Sequence, residues 1–266
     1  NAQGTTTVRG KKLVISFTVD PKSDFLGGND VITNASAGIY ENGSAQTPVM
    51  TFEQPKVNVP IKKVTVTATD KNVYLKGEVT ADQLKNGATV KVDKVNLDLS
   101  KADQNYGLEP WQTKYVDITV TVKDEDGHPI SDKLDNLTDD TTYTVEVTVS
   151  PKTVGTSTPE KGDAATAKTG ANNLAANINV FKPKLTYKDS EVYYGDTAPD
   201  CTGNLTQTKW KHGETLSDAE GVTMIGTAPT LALTYTPEAG KIAGGKINTK
   251  EDIAVDVSVK IGTDLS

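Results

Sequence analysis

The sequence predicts an all-β fold built from small antiparallel sandwiches, and three observations predict it. Threonine supplies 38 of the 266 residues and valine is also abundant. Both side chains branch at Cβ, so they fit a pleated surface and lose rotamer freedom in a helix. Apolar and polar residues alternate in several separate segments, and residues that favour tight turns stand between those segments.

Taken in order, Leu13, Ile15, Phe17 and Val19 share one face of a first strand. Val116, Ile118, Val120 and Val122 repeat the pattern. Tyr143, Val145, Val147 and Val149 do so again with Thr144, Glu146 and Thr148 outward, and Ile253, Val255, Val257, Val259 and Ile261 form the last example. Period two with one polar face marks strands that are buried on one side only. Asn42-Gly43 and Asp126-Gly127 tolerate the positive φ of tight turns. Pro21, Pro55, Pro60, Pro151, Pro183 and Pro237 sit beside strands, where a missing amide donor does least harm. A single short helix is expected at 80–85, with Thr80 as its N-cap.

An internal repeat organises these elements. Phe17-Thr18-Val19-Asp20-Pro21-Lys22 opens a polar loop that returns as Thr51-Phe52-Glu53-Gln54-Pro55-Lys56-Val57. Val147-Thr148-Val149-Ser150-Pro151-Lys152 opens another, which returns as Asn179-Val180-Phe181-Lys182-Pro183-Lys184-Leu185. Leu233-Thr234-Tyr235-Thr236-Pro237-Glu238 leads to Ala254-Val255-Asp256-Val257-Ser258-Val259. Repeated strand, Pro-initiated loop and closing strand indicate tandem modules. The expected units are 1–60, 61–182 and 183–266, joined by almost no linker. The first is short for a sandwich: it is either the end of a longer domain or a set of strands that completes a neighbour.

Composition bounds the function. Hydrophobic residues at 35% and aromatics at 6% allow packed cores, but small and mostly aliphatic ones. A net charge of −7, with Lys interspersed among Asp and Glu, argues against nucleic acid and against anionic membrane surfaces. No run approaches the roughly 18 apolar residues that span a bilayer, so no membrane insertion is expected. No leading apolar segment reads as a signal peptide, so any export signal is expected outside these residues. The only cysteine is Cys201, which excludes an intramolecular disulfide. In a Thr-rich β protein this fits a secreted product of a Gram-positive bacterium, whose surface domains are seldom disulfide-stapled.

The segment from Phe181-Lys182-Pro183-Lys184-Leu185-Thr186-Tyr187 through Tyr194-Gly195-Asp196-Thr197-Ala198-Pro199, Trp210-Lys211-His212-Gly213 and Tyr235-Thr236-Pro237-Glu238-Ala239-Gly240 resembles a known family. It is similar to the immunoglobulin-like repeat modules of cell-wall-anchored surface proteins, adhesins among them, of Gram-positive gut Firmicutes. The likeness covers 181–261 in sequence and only the architecture before that. It implies tandem immunoglobulin-like β-sandwich domains in an extracellular, cell wall-attached protein. The sortase sorting motif of such proteins is not found here, so the resemblance implies a monomeric fragment of a longer stalk or adhesin. It implies no particular ligand.

Catalytic chemistry finds little support. A triad needs a nucleophile, a histidine and an orienting acid. The two histidines, His128 in Asp126-Gly127-His128-Pro129 and His212 in Trp210-Lys211-His212-Gly213, read as turn and loop residues. An internal thioester between Cys201 and a glutamine such as Gln207 lacks the motifs of thioester domains, so a lone thiol is the plainer reading. Two histidines and one cysteine cannot build a structural zinc site. The carboxylates at 124–126 and 135–140 do not have EF-hand spacing and read as solvated turn acids. No enzymatic activity, cofactor or metal is expected.

Gram-positive surface domains of this kind also carry intramolecular isopeptide bonds between Lys and Asn, assisted by a buried acid. Such a bond needs a desolvated amine and a protonated carboxyl in an apolar core. Lys62 and Lys63 on the first strand of the second unit, Asn177 and Asn179 on its last, and Asp117 or Glu78 as the acid are the candidates. Solvent exposure is the commoner fate of such residues on half-buried strands.

Two functions follow as expectations. The chain binds a host protein or glycoprotein, immunoglobulin included, through loops at 23–46 and 153–173 or through sheet edges. Alternatively it is a passive stalk that projects another domain. A carbohydrate-binding module is a weaker alternative. Trp111, in Glu109-Pro110-Trp111-Gln112, is the candidate binding anchor, because Trp is enriched in hot spots. Trp210 reads instead as core, since a sandwich commonly buries a Trp between its sheets.

Overall fold

The computed structural model describes residues 18, 20–32, 38–39, 48, 50–51, 56–101, 105–152, 163–169, 176–213 and 217–262. Strands dominate them, and helix is confined to short turns. All of the first predicted strand at 13–19 except residue 18, and parts of the 23–46 and 153–173 loops, lie outside the described residues. At the N-terminal end β1 (Asn29–Ile32), β2 (Gly38–Ile39), β3 (Met50–Thr51) and β4 (Lys56–Val59) form two small antiparallel ladders, β1 on β4 and β2 on β3.

The centre is built from β5 (Val64–Ala68), β6 (Lys71–Tyr74), β7 (Gly77–Thr80), α1 (Ala81–Lys85), β8 (Ala88–Val92), β9 (Val95–Leu97), β10 (Val116–Lys123), β11 (Lys133–Leu137), β12 (Thr141–Pro151), β13 (Ala165–Lys168) and β14 (Ala176–Tyr187). β5, β8 and β9 make one antiparallel sheet. β10, β12 and β14 make the other, with β13 beside β12 and β6 running parallel to β14. The chain therefore leaves the first sheet at Thr69–Asp70 and joins the second, a corner of the kind that closes two sheets on one core.

Alternation explains that core. Tyr143, Val145, Val147 and Val149 on β12 are wholly inaccessible, and Val73, Val79, Val90, Val92 and Ile178 join them from the other strands. α1 covers one end with the buried Leu84. Thr80 caps it as expected: its hydroxyl accepts from Gln83 N–H while the Gln83 side chain accepts from Thr80 N–H.

The short first unit is not separate from this core. Leu26 is fully buried among the central residues, and the Lys62 amide donates to its carbonyl. Gly27 and Gly28 make the approach possible, at φ of 91° and 93°. A Cβ on Gly27 would lie 2.1 Å from the Pro60 carbonyl oxygen. Segment 24–28, which precedes the described strands of the first unit, thus contributes Leu26 to the central core.

Tyr143 gives the centre an alkaline limit. Its hydroxyl donates to the Thr69 carbonyl at 2.7 Å. Burial, with the Asp70 carboxylate nearby, pushes the phenol up to about 12 from 10.0. A folded state that holds this proton more tightly than the unfolded chain keeps its full contribution below pH 10 and loses it as pH rises towards 12. Melting temperatures should fall across that window. Tyr143→Phe should flatten the fall, and an unchanged alkaline limb in the variant would place the titration elsewhere.

The C-terminal region comprises β15 (Leu205–His212), β16 (Ser217–Asp218), β17 (Leu231–Pro237), β18 (Ile242–Ala243), β19 (Lys246–Ile247) and β20 (Val255–Ile261). β15 extends the β14 sheet and β16 follows it, while β17 pairs with β20 and β18 with β19. Residues 182–183, where the sequence places the end of one unit and the start of the next, fall inside β14. That strand crosses without a break, pairing through Phe181 with β6 and from Lys182 with β15. Its inward face changes there. Ala176, Ile178 and Val180 point into the central core, Val180 and Phe181 are both buried, and then Pro183, Leu185 and Tyr187 are the half-buried positions.

Candidate functional site

The most constructed region outside the cores is the joint between the central and C-terminal regions. Trp210 on β15 is buried and meets Tyr74 of β6 edge-on, ring centroids 5.1 Å apart. Phe181 stacks at a tilt on His212 at 5.5 Å. Val73 forms an isolated bridge with Ile225, whose amide donates to the Asn72 carbonyl, and the Asn72 side chain donates to Thr223 O. Asp140, at the turn into β12, accepts from Val180 N–H at 2.7 Å and pairs with His212 Nε2 at 2.8 Å. Asp139 accepts from Lys182 Nζ at 2.8 Å, which together with the Thr138 hydroxyl holds its carboxyl below the usual range.

These contacts give the predicted turn acids a role. Asp124 accepts from His128 N–H and Glu125 from the Thr141 hydroxyl, so four of the carboxylates around one shallow depression already have donors. No cluster of three or more metal-binding side chains occurs among the described residues. His128 is exposed on its turn and His212 belongs to the joint. Cys201 is half-buried with its thiol towards the Pro199 carbonyl, and Gln207 is exposed on β15 opposite Thr186.

Trp111 is half-buried and one face of its ring is covered by Lys22 Nζ, 4.5 Å from the centroid. The loop that carries it is pinned by Gln112, buried, which accepts from Glu109 N–H and donates to Asp24 O. Phe25 packs edge-on against Tyr115 alongside. The candidate anchor thus ties segment 22–25 to the centre.

The isopeptide candidates have other partners. Lys62 Nζ donates to the Ser23 carbonyl and pairs with Asp93 at 3.7 Å, and Lys63 is exposed. Asn177 is exposed and donates twice to Asp70, while Asn179 donates to Asn72 at 2.9 Å. Asp117 pairs with Lys152, and Glu78 with Lys133, both acids facing solvent. Neither lysine hydrogen-bonds to either asparagine among the described residues, and both acids stand in ion pairs outside the apolar core. Intact-mass spectrometry should return the mass of the sequence. A deficit of one ammonia, restored by Lys62→Ala or Lys63→Ala, would establish the cross-link.

The most exposed large apolar groups among the described residues are Tyr193 at 72% and Tyr194 at 62%. Their neighbours Gly195 and Asp196 signal a turn, but the alternation rule gives no exposure for residues outside strands.

Comparison with family models, curated proteins and solved structures yields no match to this chain.

Proposed function

We propose that this chain is a non-enzymatic segment of an extracellular, cell wall-attached surface protein of a Gram-positive bacterium, in which tandem immunoglobulin-like sandwiches form a stiff rod that presents binding surfaces to a host protein or glycoprotein. The observation that carries the reading is β14, one strand that serves two units and leaves no linker between them. A flexible connection would dissipate reach, whereas a shared strand fixed by Trp210, Phe181 and the Asp139–Asp140 pins transmits it. Two sheets, one antiparallel and one mixed because β6 runs parallel to β14, close on one largely aliphatic core, and this two-layer packing supports the immunoglobulin-like assignment. The passive stalk rests on the same joint and differs only in lacking a binding surface.

Small-angle scattering tests the rod. The maximum dimension should stay constant between low and high salt, and inserting a short Gly-Ser segment between Phe181 and Lys182 should broaden the distance distribution. Unchanged profiles on insertion would remove the rod. Antibody labelling of intact native cells tests location, and labelling that appears only after permeabilisation would remove the surface assignment.

A further inference from the structure

β20 pairs with β17 along its whole length and with no other strand among the described residues. The phase of that ladder fixes what its other edge presents. Glu238 N–H donates to Ala254 O at 2.8 Å and Gly262 N–H to Thr230 O at 3.1 Å, both in register with the β17–β20 pairs. In an antiparallel ladder such pairs exchange their backbone bonds, and the residues between them turn N–H and C=O the other way. Asp256, Ser258 and Lys260 therefore bond to β17. Val255, Val257, Val259 and Ile261 direct their backbone donors and acceptors to the bare edge.

The side chains along this edge are complementary to a copy of themselves. Asp256, Ser258 and Lys260 are exposed on one face. Their ladder partners on β17 are Thr236, Thr234 and Ala232, and neither charge has an ion pair among the described residues. Consider a second β20 laid antiparallel on the bare edge, with a twofold axis at Ser258. Asp256 of each copy then stands opposite Lys260 of the other. Val257 meets Val259 and Val255 meets Ile261, and these are the residues whose backbone groups are free to pair. An axis at Asp256 or at Lys260 sets like charges against each other, which is destabilising. An axis at Val257 or Val259 leaves both charges opposite neutral residues.

From this geometry we infer that β20 is a self-association edge, on which a second copy of this chain pairs antiparallel about Ser258 and joins the two β17–β20 ladders into one sheet. A twofold interface requires one patch to complement itself, and this strand does so in charge, in apolar side chains and in backbone phase. Val259, 38% exposed, gains an apolar neighbour in Val257 of the other copy. One strand edge is small beside the about 1,200 Å² of a stable complex, so the dimer is reversible. The inference departs from the monomer that the family resemblance implies, and it does not rest on binding to a host.

Sedimentation equilibrium of the whole chain over a wide range of concentrations is the test, and the parent should show a reversible monomer–dimer equilibrium. Asp256→Lys and Lys260→Asp each set like charges opposite one another, and each should weaken the dimer about tenfold. The double variant Asp256→Lys, Lys260→Asp restores the opposite pairs and should dimerise as the parent does. The two single variants, mixed in equal amounts, should associate as tightly as the parent, because each supplies the charge that the other lacks. Val259→Pro removes an outward amide, spares the β17 ladder and should abolish pairing. Scattering from that variant reads the rod without the dimer, so the two ideas fail separately. The inference is overturned by a parent that stays monomeric, by single variants as tight as the parent, by a mixture no tighter than its components, or by a dimer that survives the proline. A monomeric parent whose Val257 and Val259 amides resist hydrogen exchange would place another segment of the same chain on this edge.

Discussion

Leu26→Ala should lower the unfolding free energy of the central unit by about 2–5 kcal/mol, the range for a fully buried leucine whose cavity only partly collapses. Leu26 is wholly inaccessible and belongs to the cluster that includes Val64, Val116 and Tyr143, although it lies among residues rich in Gly and Asp. Its position is over-determined by the Lys62 amide on its carbonyl, the Gly28 amide on Val59 and the two glycines at positive φ. Urea unfolding with the slope held free is the measurement, because a change in midpoint at constant slope reports stability alone. A chain beginning at Ile61 should be weakened at least as much, since it loses Leu26 and also uncovers Val116, which approaches Gly28. If that truncated chain unfolds at the same urea concentration as the whole, the N-terminal segment is draped over the core and not part of it.

Trp210→Ala should cost about 3–5 kcal/mol, and the loss should fall on the C-terminal region. Few residues there are deeply buried: Trp210 and Ile247 are the large apolar ones among the described residues, while Leu231, Leu233, Tyr235 and Val257 keep partial exposure. Removing the indole strips Tyr74 of its edge contact and opens the joint beside Pro183, which pairs with Trp210 in the ladder. Hydrogen exchange should show β15 and β17 losing protection while β12 keeps it. Trp111→Ala is the internal control. Its ring is half-buried under Lys22, a contact worth about 0.5–1 kcal/mol at such a site. If Trp111→Ala destabilises more than Trp210→Ala, the roles assigned to the two indoles are reversed.

How far the sequence alone reaches depends on the kind of feature. β10 and β12 follow from alternation at 116–122 and 143–149, and α1 from a capping residue three positions before a glutamine. Such signals are local, and local chemistry fixes them. The unit boundaries rest on partnerships between distant segments, which no local pattern encodes. Leu26 stands in a stretch that reads as loop, and the alternation of β14 slips by one at Val180–Phe181, a small irregularity that marks the change of core. Which asparagine Lys62 or Lys63 faces is a matter of register between distant strands, and no local pattern carries it: β5, just after both lysines, pairs with β8, and β6 runs beside β14. Asp139 and Asp140 looked like solvated acids because their donors lie about forty residues further along the chain.

The shared strand also constrains the order of events during folding. Until residues 176–187 are available, the beginning of β12 and the edge of β6 have no partner, and β15 has no edge on which to pair. The Asn72–Asn179 bond spans 107 residues of chain, so it belongs to the slow, non-local contacts that limit the folding rate of β proteins. Once β14 docks, one event completes the central unit and creates the template for the next. A nascent chain halted before Ala176 would carry an unpaired β12 edge, the kind of surface from which edge-to-edge association starts. The strand that closes the central unit is thus the one on which the next unit begins.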